Sequence, residues 1–232
     1  MKILGVESSA TAASCAIYCD GKIIAQSFSN TGLTHSQTLM PMIDSTLKSA
    51  SITLNDIDYI AVSNGPGSFT GVRIGVSAVK GMAQPLNIEC VEVSTLEAIA
   101  KPLENTGCYA VSVMDARCNQ VYTAQFDCEN GFTRKSDDEA ITIDELSEKL
   151  KTVSKPIVLI GDGTLVAYNK LKDVLDNVFT ASPSVRYQSA SNVCLIAAQK
   201  LEKGESCKIA HDVLPNYLRL SQAERELKNK NK

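Results

Sequence analysis

Hydrophobic positions change period several times along the first hundred residues. Residues 2–6 form a nearly continuous apolar run, and residues 14–18 and 22–28 are short runs joined by Asp20-Gly21. A glycine dipeptide between two such runs predicts a tight hairpin, so the chain opens with three strands. The period then lengthens: Leu39, Ile43 and Leu47 share one helical face behind Thr34-His35-Ser36-Gln37, which reads as a capping box, with Pro41 expected to bend the helix near its start. Residues 59–63 predict a fourth strand, followed by a glycine-rich loop and a helix from about Gly71 to Gln84, stopped by Pro85. A strand at 88–93 leads into Ser94-Thr95-Leu96-Glu97, a second capping box, and a short helix ending near Pro102. The order is βββαβαβα.

The pattern then restarts. Residues 109–114 predict a strand that Asp115-Ala116-Arg117 ends, and 121–126 alternate like a returning hairpin arm. Thr142 and Glu145 cap a helix carrying Leu146 and Leu150, residues 157–160 are a buried strand, and Gly161-Asp162-Gly163 is a turn. Val193, Ile196, Ala197 and Leu201 trace a helix closed by Gly204, and Ser221 with Glu224 caps a last polar helix running into a lysine-rich end. The expected organisation is a first lobe at 1–106, a second at 107–215, and a C-terminal helix with a basic tail at 216–232.

Charge and cysteine usage narrow the class. The 232 residues carry 23 basic and 26 acidic side chains, a net charge of -3, so no global positive field gathers nucleic acid. The eight cysteines form no Cys-x-x-Cys pair, and most lie in apolar runs, which reads as reduced core thiols of a cytoplasmic protein. Glu7 interrupts the N-terminal apolar run where a signal peptide would continue, and no run approaches the ~20 residues of a membrane span.

The helix after the glycine loop divides into three stripes at about 100° per residue. Val72, Val76, Val79 and Ala83 form one apolar stripe, and Arg73, Ser77, Lys80 and Gln84 a polar one. Gly71, Gly75, Ala78 and Met82, flanked by Ile74 and Gly81, form a third that is small and nonpolar. Packing on one sheet uses a single stripe, so the third predicts a second partner: the helix at 34–50, another subunit, or both. A phosphate cradle is the competing reading. A P-loop requires lysine where "GPGSFTGV" has Val72, and the spacing does not match a dinucleotide-binding fingerprint either.

"ILGVESS", "HSQTLMPMI", "VSNGPGSFTGVRIGVSAVKGMA", "VSTLEAIA", "MDARCNQVYTAQF", "GDG" and "PNYLR" together resemble the bacterial TsaB (YeaZ) family of tRNA threonylcarbamoyladenosine biosynthesis proteins, from one end of the chain to the other. The resemblance implies the two-lobed α/β fold of actin, sugar kinases and heat-shock chaperone ATPases. It further implies a required but non-catalytic subunit that binds and activates its paralogue TsaD, is joined by TsaE, pairs with itself when alone, and meets tRNA only through the complex. The partner interface is then expected at Thr34, His35, Leu39, Ile43, Gly71, Arg73, Ile74, Gly75, Ala78 and Met82. No cofactor is expected on the isolated chain, with ATP or ADP at the level of the complex. In TsaD a His-x-x-x-His metal pair follows the next strand; those positions fall near Thr95 and Ile99, and the chain's two histidines are His35 and His211, so no metal site is expected.

Glu7, Ser8 and Ser9 are the candidate nucleotide or anion contacts, with Glu7 bonded to its own turn as the plainer alternative; the family commonly carries aspartate there and TsaD glutamate. Asp115 and Arg117 read as an ion pair at a strand end, Glu97 as a capping residue, and His35 as exposed at a helix start. An enzyme of the same fold, either a metal-dependent peptidase or a small-molecule kinase, is the alternative function.

Overall fold

The structure, a computed structural model, describes residues 1–117 and 119–219. The helix expected at Ser221 and the lysine-rich end lie outside the described residues.

The opening runs fold as β1 (Lys2–Glu7), β2 (Ala13–Cys19) and β3 (Lys22–Ser29). Asp20 and Gly21 both take positive φ, 45° and 87°, as the tight hairpin demands. Next come α1 (His35–Ser49), β4 (Tyr59–Gly65), α2 (Phe69–Ala83), β5 (Glu89–Ser94) and α3 (Thr95–Ala100). The five strands form one sheet in the order β3-β2-β1-β4-β5. β1, β4 and β5 run parallel, while β2 and β3 are antiparallel to their neighbours.

The second half repeats this plan with β6 (Tyr109–Asp115), β7 (Gln120–Asp127), β8 (Thr133–Arg134), β9 (Glu139–Thr142), α4 (Ile143–Leu150), β10 (Ile157–Ile160), α5 (Thr164–Leu171), β11 (Val178–Thr180) and α6 (Ala190–Glu202). Its sheet has the order β11-β10-β6-β7-β8, with β9 also on β7. The parallel trio β6, β10 and β11 and the antiparallel β7 therefore reproduce β1, β4, β5 and β2.

The expected strands are all present, and the differences are local. At α1, Thr34 occupies the cap position but its hydroxyl makes no capping bond; its carbonyl accepts from Gln37 N–H at 2.9 Å instead. Ser68 starts α2 two residues earlier than expected, accepting the Gly71 N–H on its hydroxyl. At α3 only half of the box forms, because Glu97 turns to Arg134. Thr142 and Glu145 make the full reciprocal box. Helix α5 carried no amphipathic signal: Thr164, Ala167 and Leu171 are buried while Leu165 and Val166 face solvent. β8, β9 and β11 are two to four residues long, too short for alternation to declare itself.

Packing does not respect the chain order of the lobes. α1 and α2 cover one face of the first sheet, burying Leu39, Ile43, Val72, Val76 and Val79 against Leu4, Val6, Ile17, Ile60 and Val62. α4 and α5 cover the outer face of the second sheet. The layer between the sheets is exchanged. α3, from the first half, packs Leu96, Ile99 and Ala100 on the second sheet. α6, from the second half, packs Val193, Cys194 and Ala197 on Ile3, Ala16 and Ala61 of the first.

Gly5 admits that exchange, since a Cβ there would lie 2.5 Å from the Cys194 sulfur and 2.6 Å from the Ala190 carbonyl oxygen. Gly5→Ala is expected to destabilise the chain by about 2 to 3 kcal/mol through overpacking. Gly81→Ala, where a Cβ meets nothing within 4 Å, is expected to be neutral or stabilising by roughly 0.5 to 1 kcal/mol. Urea unfolding of the two variants measures both.

Candidate functional site

Three glycines from the end of β4 to the first turn of α2 each have the place of a Cβ filled by a backbone carbonyl of the same chain. A Cβ at Gly71 would strike the Ser8 oxygen, one at Gly67 the Ser9 oxygen, and one at Gly65 the Asn216 oxygen. Gly65 also takes φ of 126°, a conformation that side chains resist. The Ser68 N–H donates to the Ser9 carbonyl at 2.7 Å, and the Ser8 hydroxyl donates to the Gly71 carbonyl at 2.9 Å. The turn after β1 is thus laid on the start of α2. Two donors that a phosphate would seek there, the N–H groups of Ser68 and Gly71, are taken by the chain itself.

A C-terminal strap, residues 213–219, covers the other side of the loop. Asn216 N–H donates to the Asn64 carbonyl at 2.7 Å, and the Asn64 amide donates to the Leu214 carbonyl at 3.2 Å. Tyr217 stacks on Phe69 with ring centroids 4.5 Å apart, and Arg73 Nε donates to the Tyr217 hydroxyl at 2.6 Å. Arg219 reaches the second lobe, donating to the Ala116 carbonyl at 2.7 Å. "PNYLR" is about 150 residues from the loop it clamps, and no local pattern announces that contact.

Between the lobes the same loop borders a cleft of about 680 Å³. Ser9, Thr11, Thr34, His35, Ser68 and Thr70 line it from the first lobe, and Asp115, Arg117, Tyr122 and Asp162 from the second. His35 is part-buried rather than exposed: its Nε2–H donates to the Ala10 carbonyl at 2.6 Å, and Nδ1 has no partner among the described residues. Asp115 and Arg117 do not form the expected ion pair. The Asp115 carboxylate accepts the Arg117 backbone N–H at 2.8 Å, closing the turn in which Arg117 takes φ of 63° and leaving its side chain at the cleft. A turn bond positions the strand end without fixing the guanidinium.

Glu7 is fully buried at the end of β1. Oε1 accepts the Ser9 N–H at 2.6 Å, the turn bond that its position suggests, while Oε2 has no partner among the described residues. Burial pushes its carboxyl above the ordinary glutamate range, and Ser63 and Ser9 only partly oppose this. Asp162 is raised by burial too, although the Gln188 side-chain amide donates to it at 2.7 Å.

The expected interface residues separate into two groups. Leu39, Ile43, Gly71, Gly75 and Met82 are buried in this chain's own core, so as folded here they offer no surface to a partner. Gly75 is covered by Ser8, whose hydroxyl would lie 2.5 Å from a Cβ. The small stripe is therefore filled largely within the chain. Thr34 and Arg73 are exposed, while His35, Ile74 and Ala78 are half-buried. Among the described residues no three His, Cys, Asp or Glu side chains converge as a metal-binding group, and Thr95 and Ile99 are both buried.

Because the fold favours protonated Glu7, its contribution to stability is full below the ordinary glutamate pKa and is lost as pH rises through the raised value. Glu7→Gln, which imitates the neutral acid, is expected to raise the melting temperature by several degrees near about pH 8, with the gain vanishing near about pH 4. Thermal melts across that range measure it. An advantage that grows toward acid would contradict the assignment.

Residues 29–227 match the family described as TsaD: tRNA N6-adenosine threonylcarbamoyltransferase. The tRNA threonylcarbamoyladenosine biosynthesis protein TsaB of Bacillus subtilis is 30% identical over 97% of this chain and 96% of its own. The structure of YeaZ from Pseudomonas aeruginosa aligns over 94% of this chain and 99% of its own, with a TM-score of 0.79 at 24% identity. Component A of (R)-2-hydroxyglutaryl-CoA dehydratase from Acidaminococcus fermentans, an actin-like ATPase fold, aligns over 87% and 99% with a TM-score of 0.55 at 15% identity. No helix among the described residues is long and apolar enough to cross a membrane. The chain belongs to the TsaD-type threonylcarbamoyltransferase domain family, and within it to the TsaB (YeaZ) proteins of tRNA threonylcarbamoyladenosine biosynthesis.

Proposed function

We propose that this chain is the required, non-catalytic subunit that docks on TsaD and activates it for transfer of the threonylcarbamoyl group to the adenosine beside the anticodon. TsaE joins that complex, a second copy of this chain occupies the same face when TsaD is absent, tRNA is met only through the complex, and any ATP or ADP is held at the level of the assembly. The chain works in the cytoplasm.

The observation that carries this reading is the outer face of α2. Ile74 and Ala78 are half-buried beside Ser77 and Gly81, which are exposed, and a Cβ at Gly81 would meet nothing within 4 Å. Such a low, open strip beside α1 lets another helix pair approach closely. Because the chain shares a domain family with TsaD, a face that pairs with its own copy is suited to pair with the equivalent face of the paralogue. The start of α2 supports the non-catalytic part of the reading, since its Ser68 and Gly71 N–H groups are occupied by Ser9 and Ser68. Activation then works through differential contact: the docked subunit favours the TsaD conformation able to bind substrate.

Gly75→Leu is unsuitable as a test, because a side chain there collides with Ser8 inside this chain. The paired change Ile74→Asp with Ala78→Arg is expected to weaken TsaD binding on the order of 100-fold, about 2.7 kcal/mol. Circular dichroism of the isolated variant should be unchanged. Size-exclusion chromatography with TsaD and threonylcarbamoyladenosine content of cellular tRNA are the readouts, and undiminished binding overturns the docking face. Stoichiometric metal, peptidase activity or kinase turnover on the isolated chain would favour the enzyme reading instead.

A further inference from the structure

Cys108 and Cys128 are buried thiols with no part in the cleft or the α2 face. β6 begins at Tyr109 and β7 ends at Asp127, and the register pairing those two residues puts Cys108 opposite Cys128 on the next rung. Cys128 N–H donates to the Cys108 carbonyl at 3.0 Å, and Gly107 N–H donates to the Cys128 carbonyl at 3.0 Å. With Gly107 at φ 79°, this rung is a glycine bulge. It lies where the chain crosses from the first lobe into the second. Just before it, Asn105 N–H donates to the Gly131 carbonyl at 3.3 Å, so the crossing is also tied to the segment that follows β7.

The chemistry of the two sulfurs is unequal. Cys128 is fully buried, whereas Cys108 retains 6% exposure and has the Thr106 hydroxyl 3.2 Å from its sulfur. The neighbouring Cys128 thiol holds the Cys108 thiol below the ordinary cysteine range and the same pairing, with burial, pushes Cys128 up, while the Thr106 hydroxyl donates its hydrogen to the Leu103 carbonyl at 2.6 Å. Burial drives other thiols the opposite way, Cys15 and Cys90 to about 11 and Cys194 to about 12. A thiolate is the nucleophile in sulfur oxidation, and a neighbouring thiol resolves the product.

We propose that Cys108 and Cys128 form a redox site that reacts with hydrogen peroxide and closes to a disulfide across the lobe crossing. The Cys108 thiolate attacks one peroxide oxygen; the O–O bond breaks, Cys108 becomes a sulfenic acid, and the leaving oxygen takes a proton to become water. The Cys128 sulfur then attacks the Cys108 sulfur, the S–S bond forms as the S–O bond breaks, and the departing hydroxide leaves as a second water with the Cys128 proton. Two thiols lose two electrons in all, and hydrogen peroxide is reduced to two waters. The bridge would tie the lobe crossing covalently to the end of β7.

Treating the full chain with hydrogen peroxide and mapping peptides without reductant tests this. The expected product is a Cys108–Cys128 cross-linked peptide, reversed by dithiothreitol, with the oxidised protein unfolding at higher urea than the reduced. In Cys128→Ser, checked for fold by circular dichroism, Cys108 should stop at a sulfenic acid that dimedone traps, and the urea shift should disappear. Peroxide that oxidises the more exposed Cys19 or Cys207 while Cys108 and Cys128 remain free thiols in the wild-type chain overturns the proposal, as does a bridge from Cys108 to another cysteine. Wild-type peptide mapping decides between these outcomes even if the serine variant fails to fold.

Discussion

Backbone carbonyls seated where glycine lacks a side chain are the contacts on which the rest of this molecule depends. Ser8 on Gly71, Ser9 on Gly67 and Asn216 on Gly65 bring three distant segments to within a single backbone thickness of one another. Each contact requires a missing Cβ, and each is reinforced nearby by a hydrogen bond such as Ser68 N–H to the Ser9 carbonyl or Asn216 N–H to the Asn64 carbonyl. The turn after β1, the start of α2 and the C-terminal strap consequently share one rigid junction at the mouth of the interlobe cleft. A glycine-rich turn between a strand and a helix suggests a phosphate cradle. Here the Cβ positions of Gly65, Gly67 and Gly71 are occupied by the protein's own backbone, while residues 67–71 still border the cleft.

A second close approach organises the molecule at larger scale. Gly5 lets α6 lie on the first sheet, and α3 reciprocates by lying on the second. Each half of the chain therefore completes the other's core. The sheets cannot separate without pulling α3 away from α6. Apolar burial of this kind opposes wide hinge opening. The strap adds a third link, since Tyr217 is anchored on α2 while Arg219 holds the β6–β7 turn.

Electrostatics in the junction follow from the same packing. Glu7 lies at the end of β1 beneath the turn that Gly67 and Gly71 hold down, and its burial rather than any charged neighbour dominates its raised pKa. Asp162, after β10, is raised for the same reason in the repeated half. The two acids are not repeat equivalents, since Asp162 follows the counterpart of β4, and the counterpart of Glu7 is Asp115, exposed at the end of β6.

The hydrophobic periods were enough to reveal the repeated strand–helix order, the Asp20-Gly21 hairpin and the Thr142–Glu145 box, because these depend on neighbours a few residues away. They also separated the core stripe Val72, Val76 and Val79 from the rest of α2. What they left open was the partner of the small stripe: Gly71 and Gly75 proved to be covered by Ser8, and Leu39 and Ile43 by the first sheet, while Thr34 and Arg73 stay exposed and His35, Ile74 and Ala78 half-buried. α5 stayed illegible because Leu165 and Val166 face solvent. Sequence by itself determined the local elements and the family, since short-range periodicity and motif identity are carried along the chain. The exchange of α3 and α6, the burial of Glu7 and the strap across the glycine loop were decided only in three dimensions, because each rests on contacts between segments that approach closely after both lobes have folded.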